Sequence, residues 1–283
     1  MAPEPAALVA GFEARARRVD TPCADGTLAW RIWGTGNAGL DPLVLGHGAQ
    51  GAWSHWIRNI DRLAAERMVI AVDMPGHGDS AMPEPADHRG ISAALAAGLR
   101  EILGEGRKAD LAGFSFGGCA FAYFSACYPE LVRRLVIIGS GGLDTPHGHV
   151  DLGRVAGLRG DERKAMLKAN LLGLMLHHPD SADELAQHLL VINARKARLA
   201  VPGLVIPDRL VKILPEVRVQ VDAIWGEFDR PHPDPALQEA VIRRSHPDCD
   251  FRVIAGAGHW AMYERPEAFD AVLLDMLRRP QRP

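Results

Sequence analysis

Hydrophobic and polar positions alternate between two registers along the chain. Short, mostly apolar runs recur at Leu43-Val44-Leu45, Met68 to Val72, Leu135 to Ile138, Val219 to Trp225 and Phe251 to Ile254. Runs of this length predict strands buried on both faces. Between and after them, apolar residues recur at helical spacing. Trp53 to Ala65 puts Trp56, Ile60 and Leu63 on one face, and His88 to Leu103, Ala236 to Ser245 and Pro266 to Leu277 read as further helices. Thr27 to Trp33 alternates and is expected to be an antiparallel edge strand. Residues 1 to 20 read as a loose or helical extension. Strands alternating with helices predict the α/β class, with a mostly parallel sheet covered by helices on both faces.

The alternation stops between Asp144 and Pro215, where helical patterns occur without a convincing strand. Asp161 to Leu176 is one expected helix. Ser181-Ala182-Asp183-Glu184 reads as a capping box opening a second, which carries Leu185, Leu189 and Ile192. The segment 144–215 is therefore expected to be a helical cap over the carboxyl ends of the strands. It would divide a core made of residues 1–143 and 216–283.

The tightest pattern is Gly113-Phe114-Ser115-Phe116-Gly117, which reads G-x-S-x-G. It follows the strand-like Ala109 to Ala112 and precedes a buried helical run from Gly118 to Phe124. Strand, tight turn and helix are the setting of a nucleophile elbow, in which a strained serine is lifted out of the sheet.

Composition narrows the chemistry. With 283 residues, 47% hydrophobic content and a net charge of −3, the chain has an ordinary globular balance. A basic surplus for nucleic acid is missing, and no run approaches the roughly 20 apolar residues of a membrane span. Met1 to Arg18 carries acidic residues and no apolar stretch, so it does not read as a signal peptide. Cys23, Cys119, Cys127 and Cys249 lack C-x-x-C spacing, and Cys119 and Cys127 share one expected helix. They are expected to be reduced, buried residues of a cytoplasmic protein, with no metal site and no cofactor.

A serine hydroxyl needs a base, most often a histidine oriented by a carboxylate. Ser115 is followed by Asp229, just after the strand ending at Trp225, and by His259 in Gly256-Ala257-Gly258-His259-Trp260. Both fall where a parallel sheet presents its ligands, beyond strand carboxyl ends. Asp144, just past the strand that follows the elbow, is a competing acid. An oxyanion hole needs two backbone donors. They are expected from Phe116, next to the nucleophile, and from Ala49 in the loop His47-Gly48-Ala49. His47 is expected to brace that loop rather than act as a second base.

From about residue 27 to 278 the chain resembles the α/β-hydrolase superfamily. The resemblance rests on the His47-Gly48 loop, Asp73-Met74-Pro75-Gly76-His77-Gly78-Asp79-Ser80, the elbow, Gly226 to Asp229 and Gly258-His259. Two stretches, Trp53 to Asn59 and His259 to Glu264 with Phe269, resemble the meta-cleavage product hydrolases, which split a carbon–carbon bond in ring-fission products. That likeness implies that Trp260 lines the pocket and that a cap arginine, Arg195, meets a substrate carboxylate. Phe114 and His55 stand where that branch usually has asparagine, so the substrate-facing side of the elbow departs from it.

The expected activity is that of a cofactor-independent serine hydrolase acting on a small, largely apolar carbonyl compound, most simply a carboxylic ester. Carbon–carbon bond hydrolysis, a haloperoxidase-like perhydrolase and a low-turnover ligand receptor on the same fold are the alternatives. The expected partner is a small-molecule substrate, with no nucleic acid and no membrane, and homo-oligomerisation is left open. Serine at the nucleophile position disfavours a dehalogenase, which would need aspartate.

Overall fold

Along Leu135 to Ile138 every side chain is buried, and successive residues serve opposite faces of one sheet. Leu135 and Ile137 pack into one apolar cluster, Val136 and Ile138 into another. That period of two, apolar on both sides, is the pattern of a sheet sandwiched between helix layers. A computed structural model describes residues 4–35 and 39–280.

The chain opens with helix α1 (Pro5–Arg15) and the hairpin of β1 (Arg17–Cys23) and β2 (Gly26–Trp33). β3 (Leu43–Gly46), α2 (Ile60–Ala64), β4 (Val69–Val72), α3 (His88–Leu103), β5 (Ala109–Phe114), α4 (Phe116–Cys127) and β6 (Val132–Ile138) follow. Four helices then come in succession: α5 (Gly160–Leu174), α6 (Glu184–Ala194), α7 (Pro202–Val205) and α8 (Arg209–Ile213). The chain returns to the sheet with β7 (Gln220–Gly226), α9 (Pro235–Ser245), β8 (Phe251–Ile254), α10 (Ala261–Glu264) and α11 (Pro266–Arg278). The 8-stranded sheet has the order β1-β2-β4-β3-β5-β6-β7-β8. β1 and β2 run antiparallel to their neighbours, and the remaining pairs are parallel. This is the α/β-hydrolase fold expected from the sequence. All parallel strands therefore end on one rim, and the candidate chemistry gathers there.

Several local expectations need correction. Of residues 1 to 20, expected loose or helical, Pro5–Arg15 is helical, but from Arg17 the chain forms an outer strand to Cys23, and Thr27 to Trp33 is antiparallel but second from the edge. β1 is polar on most positions, as suits a solvent-facing edge, and so lacks the apolar run that marks the inner strands. The helix expected over Trp53 to Ala65 is broken into a 3₁₀ turn at Trp53–Trp56 and the short α2. Partners from elsewhere in the fold hold its two parts: Asp73 Oδ1 accepts from Trp53 N–H, at the start of the 3₁₀ turn, at 2.8 Å. Asn59, at the junction, donates to Met262 O and Asp270 Oδ1. The cap of α6 is Asp183, whose Oδ1 accepts from Ala186 N–H at 2.8 Å, because Ser181 is held in a separate 3₁₀ turn. Cys23, Cys119 and Cys249 are buried and free, whereas Cys127 is exposed at the end of α4. No helix of the described residues is long and apolar enough to cross a membrane.

Candidate active site

β5 ends at Phe114 and α4 begins at Phe116, so Ser115 alone makes the turn. Its φ of 52° and ψ of −114° lie where an L-residue is held only by its surroundings, at a cost of about 1–3 kcal/mol. The restraints are specific. Ser115 N–H donates to Ile138 O of β6 at 2.8 Å, and Gly118 N–H donates to Ser115 O at 3.0 Å. Ser140 Oγ donates to the same carbonyl at 2.8 Å. A Cβ on Gly113 would sit 2.5 Å from Gly117 O, so the elbow closes only with glycine there.

Asp229 follows β7 and His259 follows β8, and the two meet beyond the rim. His259 Nδ1 lies 2.8 Å from Asp229 Oδ2, and both side chains are buried. A carboxylate only accepts, so the shared proton sits on Nδ1 and leaves Nε2 with a lone pair. Burial opposes ionisation of Asp229, but the His259 charge and hydrogen bonds from His232 and His259 hold its pKa at about 2. Gly139, at φ 50°, packs the end of β6 against the pair, and a Cβ there would be 3.0 Å from Asp229 Oδ2. Asp144, the competing acid, is exposed in the segment after β6.

Ser115 and His259 border one cavity of about 490 Å³, together with Gly48, Ala49, Phe114 and Phe116. The Phe114 and His259 rings lie 4.9 Å apart. The Gly48 backbone passes close over the serine, since a Cβ on Gly48 would be 3.2 Å from Ser115 Cβ. His47 fixes this loop: its Nε2 accepts from Met74 N–H at 2.9 Å and its Nδ1 bonds Gly48 O at 2.7 Å. Burial, His77 and His55 hold the His47 pKa well below the usual histidine range. A neutral, fully engaged imidazole braces the loop and has no lone pair left for a proton. Ala49, the next residue of this braced loop, borders the cavity with Ser115 and with Phe116 at the start of α4.

Other residues singled out by the sequence are placed differently. Trp260 and His55 are not among the residues that border the cavity; His55 packs against Phe114, which is, and Trp260 packs behind His55. Trp260 Nε1 donates to His55 O at 2.9 Å, and its ring stacks on Tyr263 at 4.2 Å, which draws it into the core. Arg195 is exposed just past α6 and borders an adjoining cavity of about 310 Å³, which shares Gln50, Leu174 and Met175 with the first.

Two functional candidates escaped the sequence reading. His232 sits three residues after Asp229, and both its backbone N–H and its Nδ1 bond Asp229 Oδ1, at 2.9 and 3.1 Å. Glu264, five residues after His259, is buried and accepts backbone N–H bonds from Gly258, His177 and His178. The Asp-x-x-His spacing is the signal that could have found the first. Asp229, His232 and His259 also bring possible metal-ligand atoms within 4.8 Å of one another. In the present arrangement both Nδ1 protons are donated to the carboxylate, so neither Nδ1 offers a lone pair to an ion.

A single eight-stranded sheet with its helical insertion between β6 and β7 defines the class. The model of the Alpha/beta hydrolase family matches residues 43–272, and the chain belongs to that family. Within it the chain falls with the hydrolases of meta-cleavage products. It is 34% identical over 266 residues to the 2-hydroxy-6-oxononadienedioate/2-hydroxy-6-oxononatrienedioate hydrolase of Burkholderia vietnamiensis, covering 87% of this chain and 89% of that one. It is 31% identical to the 2-hydroxy-6-oxo-6-phenylhexa-2,4-dienoate hydrolase of Burkholderia cepacia, covering 84% and 87%. Among solved structures, a thermophilic esterase from Thermogutta terrifontis with bound malate superposes with a TM-score of 0.71 at 25% identity, over 93% of this chain and 98% of that one. The chain is a hydrolase whose relatives include both esterases and carbon–carbon bond hydrolases.

Proposed function

We propose that the chain is a serine hydrolase in which Ser115 is the nucleophile, His259 the general base and Asp229 its orienting acid. The substrate is a small, largely apolar carboxylic ester. The observation that carries this reading is the 2.8 Å bond from His259 Nδ1 to Asp229 Oδ2, in a cavity that Ser115 also borders.

The steps balance. Ser115 Oγ attacks the carbonyl carbon while its proton passes to His259 Nε2, and the carbonyl oxygen becomes an oxyanion facing the Phe116 and Ala49 N–H groups. Collapse expels the alkoxide, which takes the proton from His259. Water then repeats the attack on the acyl-serine, and the acid leaves with Ser115 restored.

Ester hydrolysis is favoured over carbon–carbon cleavage by what surrounds Phe114. Carbon–carbon cleavage needs a ketone formed from an enol, hence polar groups on the pocket wall. Phe114 offers a phenyl ring beside the nucleophile. His55, which could have compensated, lies against Phe114 away from the cavity, and burial followed by His259 and His77 lowers its pKa to about 3. Loss of one donor to an oxyanion costs on the order of 3 kcal/mol, about a hundredfold in rate. The names of the relatives favour the second reading, a carbon–carbon bond hydrolase. The deciding measurement is kcat/KM for p-nitrophenyl butyrate against a ring-fission dienone acid, in wild type and Phe114→Asn. An ester preference that narrows in the variant supports the first reading. A wild-type preference for the dienone acid, unmoved by the substitution, establishes the second.

A further inference from the structure

His232 is not needed for the three-residue mechanism, yet it is built into the same centre. Its Nδ1 and its backbone N–H both bond Asp229 Oδ1, while His259 holds Oδ2. One carboxylate thus anchors two imidazoles, whose ring centroids lie 5.5 Å apart. With Nδ1 donating to a carboxylate, the remaining nitrogen of His232, Nε2, carries the lone pair. That nitrogen is directed at the cavity wall: a Cβ on Gly141 would lie 3.1 Å from it, and both Gly141 and His232 border the Ser115 cavity. The groups facing the ring are Asp229, His259 and His147, with the Trp225 indole edge-on at 6.3 Å. Burial first, then His259 and His147, keep the His232 pKa below the usual range against the pull of Asp229. The imidazole is therefore neutral near pH 7 and acts as an acceptor.

We propose that His232 Nε2 is a substrate-recognition acceptor, selecting esters that carry a hydroxyl on the acyl chain within reach of the scissile carbonyl. The inference rests on Ser115 being the nucleophile of this cavity. An acceptor fixed on a largely apolar wall, which also carries Gln50 and His147, gains when a hydroxyl meets it and is left desolvated when a methylene does. Its anchoring on Asp229 supplies the pre-organisation: the ring cannot swing away without breaking its Nδ1 bond to the acid, and the backbone N–H bond to the same oxygen fixes the residue that carries it.

The test compares p-nitrophenyl butyrate with its 2-hydroxy and 3-hydroxy counterparts, as kcat/KM ratios within each protein. Wild type is expected to favour one of the hydroxy esters by about tenfold. His232→Asn keeps a donor placed like Nδ1 and lacks Nε2, and should bring that ratio close to one. His232→Gln places an amide oxygen near the Nε2 position and should keep part of the preference, so it carries the test if the Asn protein does not fold. Equal ratios in wild type and His232→Asn, or a folded Gln variant with no preference where wild type has one, would overturn the proposal. A wild type that hydrolyses the esters without preferring either hydroxy form overturns it too, and leaves the hydrolase reading standing. A wild type inert towards all three, whose Ser115 also fails to react with a fluorophosphonate, refutes the nucleophile assignment instead.

Discussion

Ser115 is held in a left-handed turn by bonds from β6 and α4, and the group it needs is positioned by Asp229. The acid assignment is testable against its rival. Asp229→Asn should lower kcat by about 10³–10⁴-fold, because the imidazole loses its tautomer and its counter-charge. Asp144→Asn, at an exposed position, should stay within about twofold. Steady-state kinetics on one ester decides between them, and the reverse pattern transfers the role to Asp144. The pKa of Asp229, about 2 against an ordinary 3.8, fixes a second expectation. A depressed carboxylate stabilises the fold above its unfolded pKa and loses that contribution as pH falls through the folded value. About 2 kcal/mol should therefore disappear between roughly pH 4 and pH 2, and denaturant titrations of wild type and Asp229→Asn across that window should converge. At this scale the placement of Ser115, Asp229 and His259 at one rim of the sheet was legible, because a strained turn and two strand-end loops leave motifs. Where Trp260 and His55 pack was not legible, because whether an aromatic ring lines a cavity or lies behind another ring is decided by packing partners distant in sequence.

Glu264 joins elements that the sequence keeps apart. It accepts from Gly258 N–H at 2.7 Å in the His259 loop and from His177 and His178 N–H just beyond α5. On the other side of His259, Trp260 N–H donates to Met175 O at 2.7 Å. The loop is thus clamped to the end of α5 on both flanks of the histidine. Glu264→Gln turns an acceptor into a donor against one of these N–H groups and should cost about 3 kcal/mol of stability. It should also lower kcat more than it raises KM, since the lesion loosens the base and leaves the cavity wall; unchanged kcat with reduced stability would show a purely structural clamp. α11 carries a second buried acid, Asp270. Its pKa is pushed up to about 7, by burial against the opposing pull of the Asn59 hydrogen bond and Arg62. A raised carboxylate favours the fold below its unfolded pKa and loses that advantage as pH rises through the folded one. Unfolding free energy should therefore fall by a few kcal/mol from about pH 4 to pH 8 through this group. Asp270→Asn should flatten that slope, and an unchanged slope would assign it elsewhere. Inner strands were legible as apolar runs, and β1 was not, because a polar edge strand has no such run. Asp183 displaced Ser181 as a cap because the preceding residues form their own turn.

At the scale of the whole molecule, the sheet gathers Ser115, Asp229 and His259 on one rim, and the segment between β6 and β7 supplies Leu174, Met175, Leu199 and Val205 to the cavity. If its helices act as a cap, exchanging residues 144–215 for those of a relative should change which esters are accepted and leave Ser115 reactive. An unaltered substrate profile would deny them that role. A mostly parallel sheet covered on both faces was legible from the alternation of strands and helices, whereas the order of its strands and the shape of the cavity were not, since the one depends on crossovers and the other on where the insertion folds back. The central claim is that Ser115 carries the acyl group. Wild-type protein mixed with p-nitrophenyl butyrate and quenched early should yield a butyryl adduct on the peptide containing Ser115. Ser115→Ala should show no adduct there and lose on the order of 10⁶ in kcat. Undiminished turnover in Ser115→Ala, or an acyl group trapped on any other residue, would contradict it.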